Sequence, residues 1–153
     1  MHTMEAIIED ASIRHLNRLY EVETECFKEE AFTKEQILQL LGDYNAIGLV
    51  ARIGNEIVGF VIGMIYFDRN ALHGHILTID VSPTYRRRGI GQKLLQGIEE
   101  IFKHKGVRAS ALEVREDNIG AINLYKKLGY KKIGRLKNYY GSAHGVCLKK
   151  VLA

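Results

Sequence analysis

HGHILTIDVSPTYRRRGIG, residues 73–91, reads as a strand that runs out and a helix that begins, with arginines and glycines at the joint. His73 to Val81 is the strand, and after Gly91 an amphipathic helix places Leu94, Leu95, Ile98, Ile101 and Phe102 on one side and stops at Gly106. The joint itself, Arg86-Arg87-Arg88-Gly89-Ile90-Gly91, suits a phosphate. A first helical turn has unpaired N–H groups and the positive end of the dipole, and glycines let a pyrophosphate approach without a Cβ in the way. The guanidinium groups add charge. A P-loop would need Gly-Lys-Ser/Thr here, and a dinucleotide fingerprint would need glycine at Leu94. An ordinary glycine turn flanked by solvated arginines stays open on the loop alone.

Outward from the joint, the period of the apolar residues changes. Ala46 to Ile53 and Glu56 to Tyr66 form apolar-rich runs joined at Gly54-Asn55, which predicts a β-hairpin and argues against a doubly wound nucleotide fold. Further upstream, Met4 to Ile8 reads as a first strand, and Ile13, Leu16, Leu19, Tyr20 and Glu23 follow helical spacing. A second helix starts at Thr33, whose hydroxyl forms a capping box with Gln36 and whose buried side is Ile37, Leu38, Leu40 and Leu41. Downstream come the strand ASALEV, a helix from about Ile119 to Leu128 stopped by Gly129, and short strands near Lys131 to Leu136 and Gly145 to Val151. The order predicts an α+β fold: a mixed, mostly antiparallel sheet of about six or seven strands flanked by about four helices.

The chain has 153 residues, 46% hydrophobic and 26% charged, which predicts one globular domain over residues 1–153. No apolar run reaches signal-peptide or membrane-span length, so a cytoplasmic protein without membrane attachment is expected. Cys26 and Cys147 lack metal-ligand spacing and read as free thiols. The net charge of +4 is modest and the basic residues are dispersed outside the arginine cluster, which disfavours nucleic acid as a partner.

A second constellation stands at LEVREDNIGAINLYKKLGY, residues 112–130. Glu113 is a charge inside an apolar-edged strand, Asn118 lies near a helix start, and Tyr125 sits two turns along that helix. Alone, each fits an ordinary role: a solvated glutamate, a helix cap and a core ring. Together with RRRGIG they resemble the GNAT superfamily, whose acetyl-CoA signature Arg/Gln-x-x-Gly-x-Gly/Ala is matched at Arg86, Gly89 and Gly91. LEVRxxNxxAxxLYxxLGY is similar to the protein N-terminal acetyltransferases, specifically the bacterial ribosomal-protein alanine acetyltransferases and their archaeal relatives.

This resemblance implies an enzyme that moves an acetyl group from acetyl-CoA, without a metal, to the N-terminus of a protein, including ribosome-associated proteins as partners. It implies that Ile79, Asp80 and Val81 offer strand backbone to the pantetheine arm and that Arg87, Arg88, Gly89, Ile90, Gly91 and Gln92 hold the pyrophosphate. Asn118 would contact the cofactor, Glu113 would be the general base and Tyr125 the general acid. His75 matches a histidine of the archaeal branch that helps deprotonate the substrate, and Tyr139 and Tyr140 match a tyrosine pair packed over the substrate's first residues. The family's proline-containing loop is replaced here by Cys26-Phe27-Lys28-Glu29-Glu30-Ala31-Phe32-Thr33, in which Phe27, Glu29 and Glu30 are candidate substrate contacts. A lysine or small-amine acetyltransferase, or a non-catalytic acetyl-CoA sensor, is the alternative on the same scaffold.

Elementary chemistry narrows the acceptor. An α-amino group with a pKa of about 7.8 is about one-seventh neutral at pH 7, whereas a lysine at about 10.4 is neutral at roughly one part in a few thousand. Histidine titrates close to that range, and a glutamate works best there through water or a relay. His73 and His75 share a strand spacing that begins a metal site, but no third ligand is evident.

Overall fold

The computed structural model describes residues 5–152. Its strands are β1 (Ile7–Asp10), β2 (Ala46–Ile53), β3 (Glu56–Asp68), β4 (Ala71–Val81), β5 (Val107–Arg115), β6 (Lys131–Tyr140) and β7 (Ala143–Val151). They form one seven-stranded sheet in the order β1-β2-β3-β4-β5-β7-β6. Neighbours are antiparallel except β4 and β5, which run parallel. The helices are α1 (Leu16–Phe27), α2 (Lys34–Leu41), α3 (Ile90–His104) and α4 (Ile119–Lys127).

Most of the expected elements appear. Gly54 takes a positive φ of 60° in the two-residue turn between β2 and β3. The Thr33 hydroxyl accepts from Gln36 N, and the Gln36 side chain accepts from Thr33 N, so the capping box forms. Three expectations need correction. The first strand is Ile7–Asp10, not Met4 to Ile8, and Met4 lies outside the described residues. Glu9 and Asp10 belong to the strand because they pair with Val50 and Leu49 of β2, and Arg52 of β2 also binds the Glu9 carboxylate at 2.6 Å. On the helices, α1 buries Leu19, Val22 and Glu23 while Tyr20 is exposed, and α2 buries Ile37 while Leu38, expected on the same side, is exposed. The last hairpin extends to Tyr140 and Ala143, which pair directly, so the tyrosines stand at its end.

Two apolar clusters flank the sheet. On one face α1 and α2 pack Leu19, Val22 and Ile37 against Val50, Phe60 and Ile62. On the other, α3 packs Leu94, Leu95, Ile98 and Phe102 against Val61, Ile76 and Leu112, and α4 adds Tyr125. Phe102 lies so close to β4 that a Cβ on Gly74 would come within 2.5 Å of its ring. Glycine at 74 is thus a packing requirement. The buried Glu99 of α3 is satisfied by the Tyr130 hydroxyl at 2.9 Å and Lys150 at 2.8 Å.

Two irregularities shape the centre. Thr78 pairs with Ile62 and Ile76 with Gly63, so Leu77 is an extra residue on β4, a β-bulge. Its effect is visible in the contacts: Ile76 faces α3, whereas Thr78 hydrogen-bonds Glu23 of α1. Pairing of β4 with β5 also ends at Ile76–Leu112, and beyond it the two parallel strands diverge.

Candidate active site

The divergence of β4 from β5 opens a cleft of about 1340 Å³ that passes between the halves of the sheet. Ile79 and Val81 line one wall and Glu113 and Arg115 the other. Because β4 has lost its partner on this side, backbone groups past Ile76 are left without a ladder on the β5 flank. An extended ligand can take the place of the missing strand.

At one end the cleft meets the N-terminus of α3. Gly89 caps that helix in the left-handed region at φ 75°, and Arg87 also has a positive φ of 65°. Arg86, Arg87, Gly89, Ile90, Gly91 and Gln92 all line the cleft. A Cβ at Gly91 would meet Val81 and Leu124 at 3.7 and 3.8 Å, ordinary contact, so the protein itself tolerates a small side chain there. Arg88 is placed elsewhere, its guanidinium 5.2 Å over the Tyr85 ring and outside the lining. Asp80 is also outside the lining, its side chain buried on the α1 face, so only its backbone is available to the cleft.

At the other end the residues are polar and aromatic. His75 Nε2 lies 2.7 and 3.0 Å from the two carboxylate oxygens of Glu113. Parallel pairing of His75 with Ala111 brings them together, since Glu113 is two residues further along the same face of β5. Glu113 lines the cleft and His75 stands behind it, which places the imidazole one step further from a substrate than expected. Tyr125 faces the cleft from α4, 7% exposed. Burial, then the charge of Asp80, pushes its phenol well above the ordinary tyrosine range, so its proton is held firmly.

The segment after α1 and the β6–β7 turn complete this end. Phe27, Glu29, Glu30, Tyr139 and Tyr140 line it, the two tyrosine rings meeting edge to face at 4.9 Å. Glu30 Oε1 is bound by Arg115, which offsets much of its charge towards an incoming ammonium group. Arg115 is further held by Asp117 at 3.0 Å and lies 5.9 Å over the Tyr140 ring. This ion pair spans from the α1 side of the cleft to β5, re-joining the sheet halves on that face. Arg115 was legible as a site residue, being two positions from Glu113 on one strand face. Asn118 takes both of its possible roles: its side chain accepts from Ala121 N at 3.2 Å, capping α4, and it lines the cleft. Among the described residues no group of three or more metal-ligating side chains gathers, and no helix is long and apolar enough to cross a membrane.

This geometry agrees with known proteins. Residues 16–130 match the family model described as Acetyltransferase (GNAT) family. An N-alpha-acetyltransferase of Sulfurisphaera tokodaii is 37% identical over 120 residues, 71% of this chain and 70% of that protein. A putative ribosomal protein bS18-alanine N-acetyltransferase of Bacillus subtilis is 31% identical over 136 residues, 88% of this chain and 87% of its own length. The crystal structure of Ard1 from Thermoplasma volcanium superposes with a TM-score of 0.89 at 26% identity, covering 97% of this chain and 99% of that one.

Proposed function

Since the chain belongs to the acetyltransferase (GNAT) family, we propose that it moves the acetyl group of acetyl-CoA to the α-amine at the N-terminus of a protein. The observation that carries this reading is the His75–Glu113 pair, set between the anion-binding end of the cleft and its tyrosine-lined end. The pyrophosphate sits on the first turn of α3 and the arginines beside it, and the pantetheine arm runs along β4 where β5 has turned away. The acceptor enters past Phe27, Glu29, Tyr139 and Tyr140, and ribosomal or other nascent proteins in the cytoplasm are its substrates.

The reaction needs a neutral amine and a departing thiolate. Glu113, oriented by His75, takes the proton of the attacking amine directly or through a water, and the charge passes to the pair. The nitrogen bonds to the thioester carbon and the carbon–sulfur bond breaks. Tyr125 donates a hydrogen bond to the leaving sulfur. Its raised pKa makes complete transfer to a thiolate, whose acid form has a pKa of about 8.5 for an ordinary thiol, unfavourable. The thiolate therefore completes its protonation on release to water.

Turnover of short peptides with free and with blocked N-termini, the latter carrying one internal lysine, tests the reading. Acetylation of the free peptides alone is expected. Acetylation of the blocked peptide at an equal rate would move the assignment to lysine, and binding of acetyl-CoA without turnover would leave a sensor.

A further inference from the structure

Below the reacting end of the cleft lies a group of polar side chains that the transfer reaction does not use. Glu23 of α1, Thr78 and Asp80 are buried, with 1%, 6% and 1% exposure. The Thr78 hydroxyl lies 2.7 Å from Glu23 Oε1 and 2.6 Å from Asp80 Oδ1. A hydroxyl has one proton and so donates to one of these oxygens only. The other contact is a hydrogen bond only if that carboxyl is itself protonated and donates to Thr78 Oγ1. Two ionised carboxylates at these distances, out of water, would repel each other with no proton between them.

We propose that Glu23, Thr78 and Asp80 form a clasp that retains one carboxyl proton at neutral pH and thereby positions the acceptor-side segment, residues 28–33, against the reacting end of β4. Glu23 makes the connection. Its second oxygen, Oε2, accepts the backbone N–H of Phe32 at 3.0 Å, so one side chain ties α1, the segment after it and β4 together. Phe32 and Cys26 line the cleft together with two members of the clasp, Glu23 and Thr78. Retaining the proton also keeps a negative charge away from the place where the thioester oxygen and the sulfur become negative during transfer.

The groups facing Asp80 support the neutral form. Burial first, and Glu23 next, raise its carboxyl well above the usual range. Arg86, on the loop after β4, is the cation that opposes this, and it also reaches Cys26 Sγ at 3.5 Å. Cys26 of α1 is pushed up to about 11, by burial and then by Asp80, and so stays a thiol. Tyr125, from α4, stays a phenol for related reasons. Asp80 Oδ2 has no hydrogen-bond partner among the described residues, which a carbonyl oxygen of a neutral acid bears at lower cost than a carboxylate oxygen does.

The sign of the pH effect follows. A carboxyl whose folded-state pKa is raised holds its proton in the folded protein after the unfolded chain has released it. Its stabilisation is complete below the ordinary Asp value of about 3.9 and is lost as pH rises through the folded-state value. At alkaline pH the clasp ionises, the Phe32 tether loosens, and the KM for a peptide acceptor rises.

Infrared titration of the whole protein detects the clasp directly. A protonated-carboxyl C=O band is expected to persist at pH 7 in the wild type and to be absent from Asp80→Asn, whose amide is a permanently neutral replacement. In kinetics, the peptide KM of the wild type should rise severalfold towards alkaline pH, while that of Asp80→Asn changes little over the same range. Thr78→Val should raise the peptide KM at all pH values and Thr78→Ser should restore it, whereas acetyl-CoA affinity moves in neither. A wild-type spectrum with no protonated carboxyl at pH 7 overturns the proposal whether or not the variants fold, and identical pH profiles for wild type and Asp80→Asn overturn it too. The kinetic arm rests on the peptide-acetylation reading and the infrared arm does not. An intact band without peptide turnover therefore sinks that reading and leaves the retained proton standing.

Discussion

The two ends of the cleft are built from different materials. The α3 end, proposed for the pyrophosphate, is made largely of backbone: a left-handed glycine, the first turn of α3 and a strand edge released by divergence. The end proposed for the acceptor is made of side chains that meet across long stretches of chain, His75 with Glu113 and Glu30 with Arg115. A backbone site is sensitive to added bulk and indifferent to most charge changes. A side-chain site has the opposite sensitivities.

The largest expected effect lies where the two ends meet. Tyr125→Phe keeps the buried ring against Tyr130 and removes one hydroxyl, so kcat should fall about 100-fold while acetyl-CoA affinity changes less than about tenfold. Near-normal kcat in that variant would falsify a role for the hydroxyl and return Tyr125 to the core. Next in size is the backbone end. Gly91→Ala should fold, and Gly91→Val should abolish the rise in melting temperature that acetyl-CoA produces, a rise worth about 2.7 kcal/mol at a hundredfold excess over Kd. If the Val variant keeps the full thermal shift, the pyrophosphate is not on α3. The smallest effect belongs to the ion pair at the acceptor end, which is partly exposed. Glu30→Arg or Arg115→Glu alone should raise the peptide KM less than about tenfold without changing the acetyl-CoA shift, and the double exchange should recover part of the loss. An equal effect on both substrates would erase the distinction between the two ends.

The same contrast explains what could be read from the sequence. The glycine-arginine joint is a local signal, because its chemistry depends on a helix start and on residues adjacent in the chain. Hairpin, capping box and helix stop were local too, and all three are present. The His75–Glu113 contact depends on the parallel register of β4 and β5, which no local pattern carries, so the two residues were candidates without being a pair. Glu30 lines the same end, and its contact with Arg115, 85 residues away in the chain, is likewise carried by no local pattern. On α1 the spacing from Leu16 and Leu19 selects Tyr20 and Glu23, and Glu23 is buried, but Val22, three residues after Leu19, fills the place given to Tyr20.

The extra residue Leu77 has a consequence for how this chain tolerates change in length. In a strand, insertion or loss of one residue exchanges the two sides for everything beyond it. Leu77 already performs one such exchange, so the alternation before it and the alternation after it are out of step. Deleting it would leave Ile76 and Thr78 as neighbours on opposite faces, as they already are, so Thr78 and Asp80 would stay towards α1 and Ile79 and Val81 towards α3, whereas loss of a residue after it would exchange the addresses beyond the gap. Position 77 is therefore the place in β4 where one residue can go with both faces kept, losing the bend and the Leu77 contact with the α1 cluster. In evolutionary terms, β4 can change its length there and not beyond it.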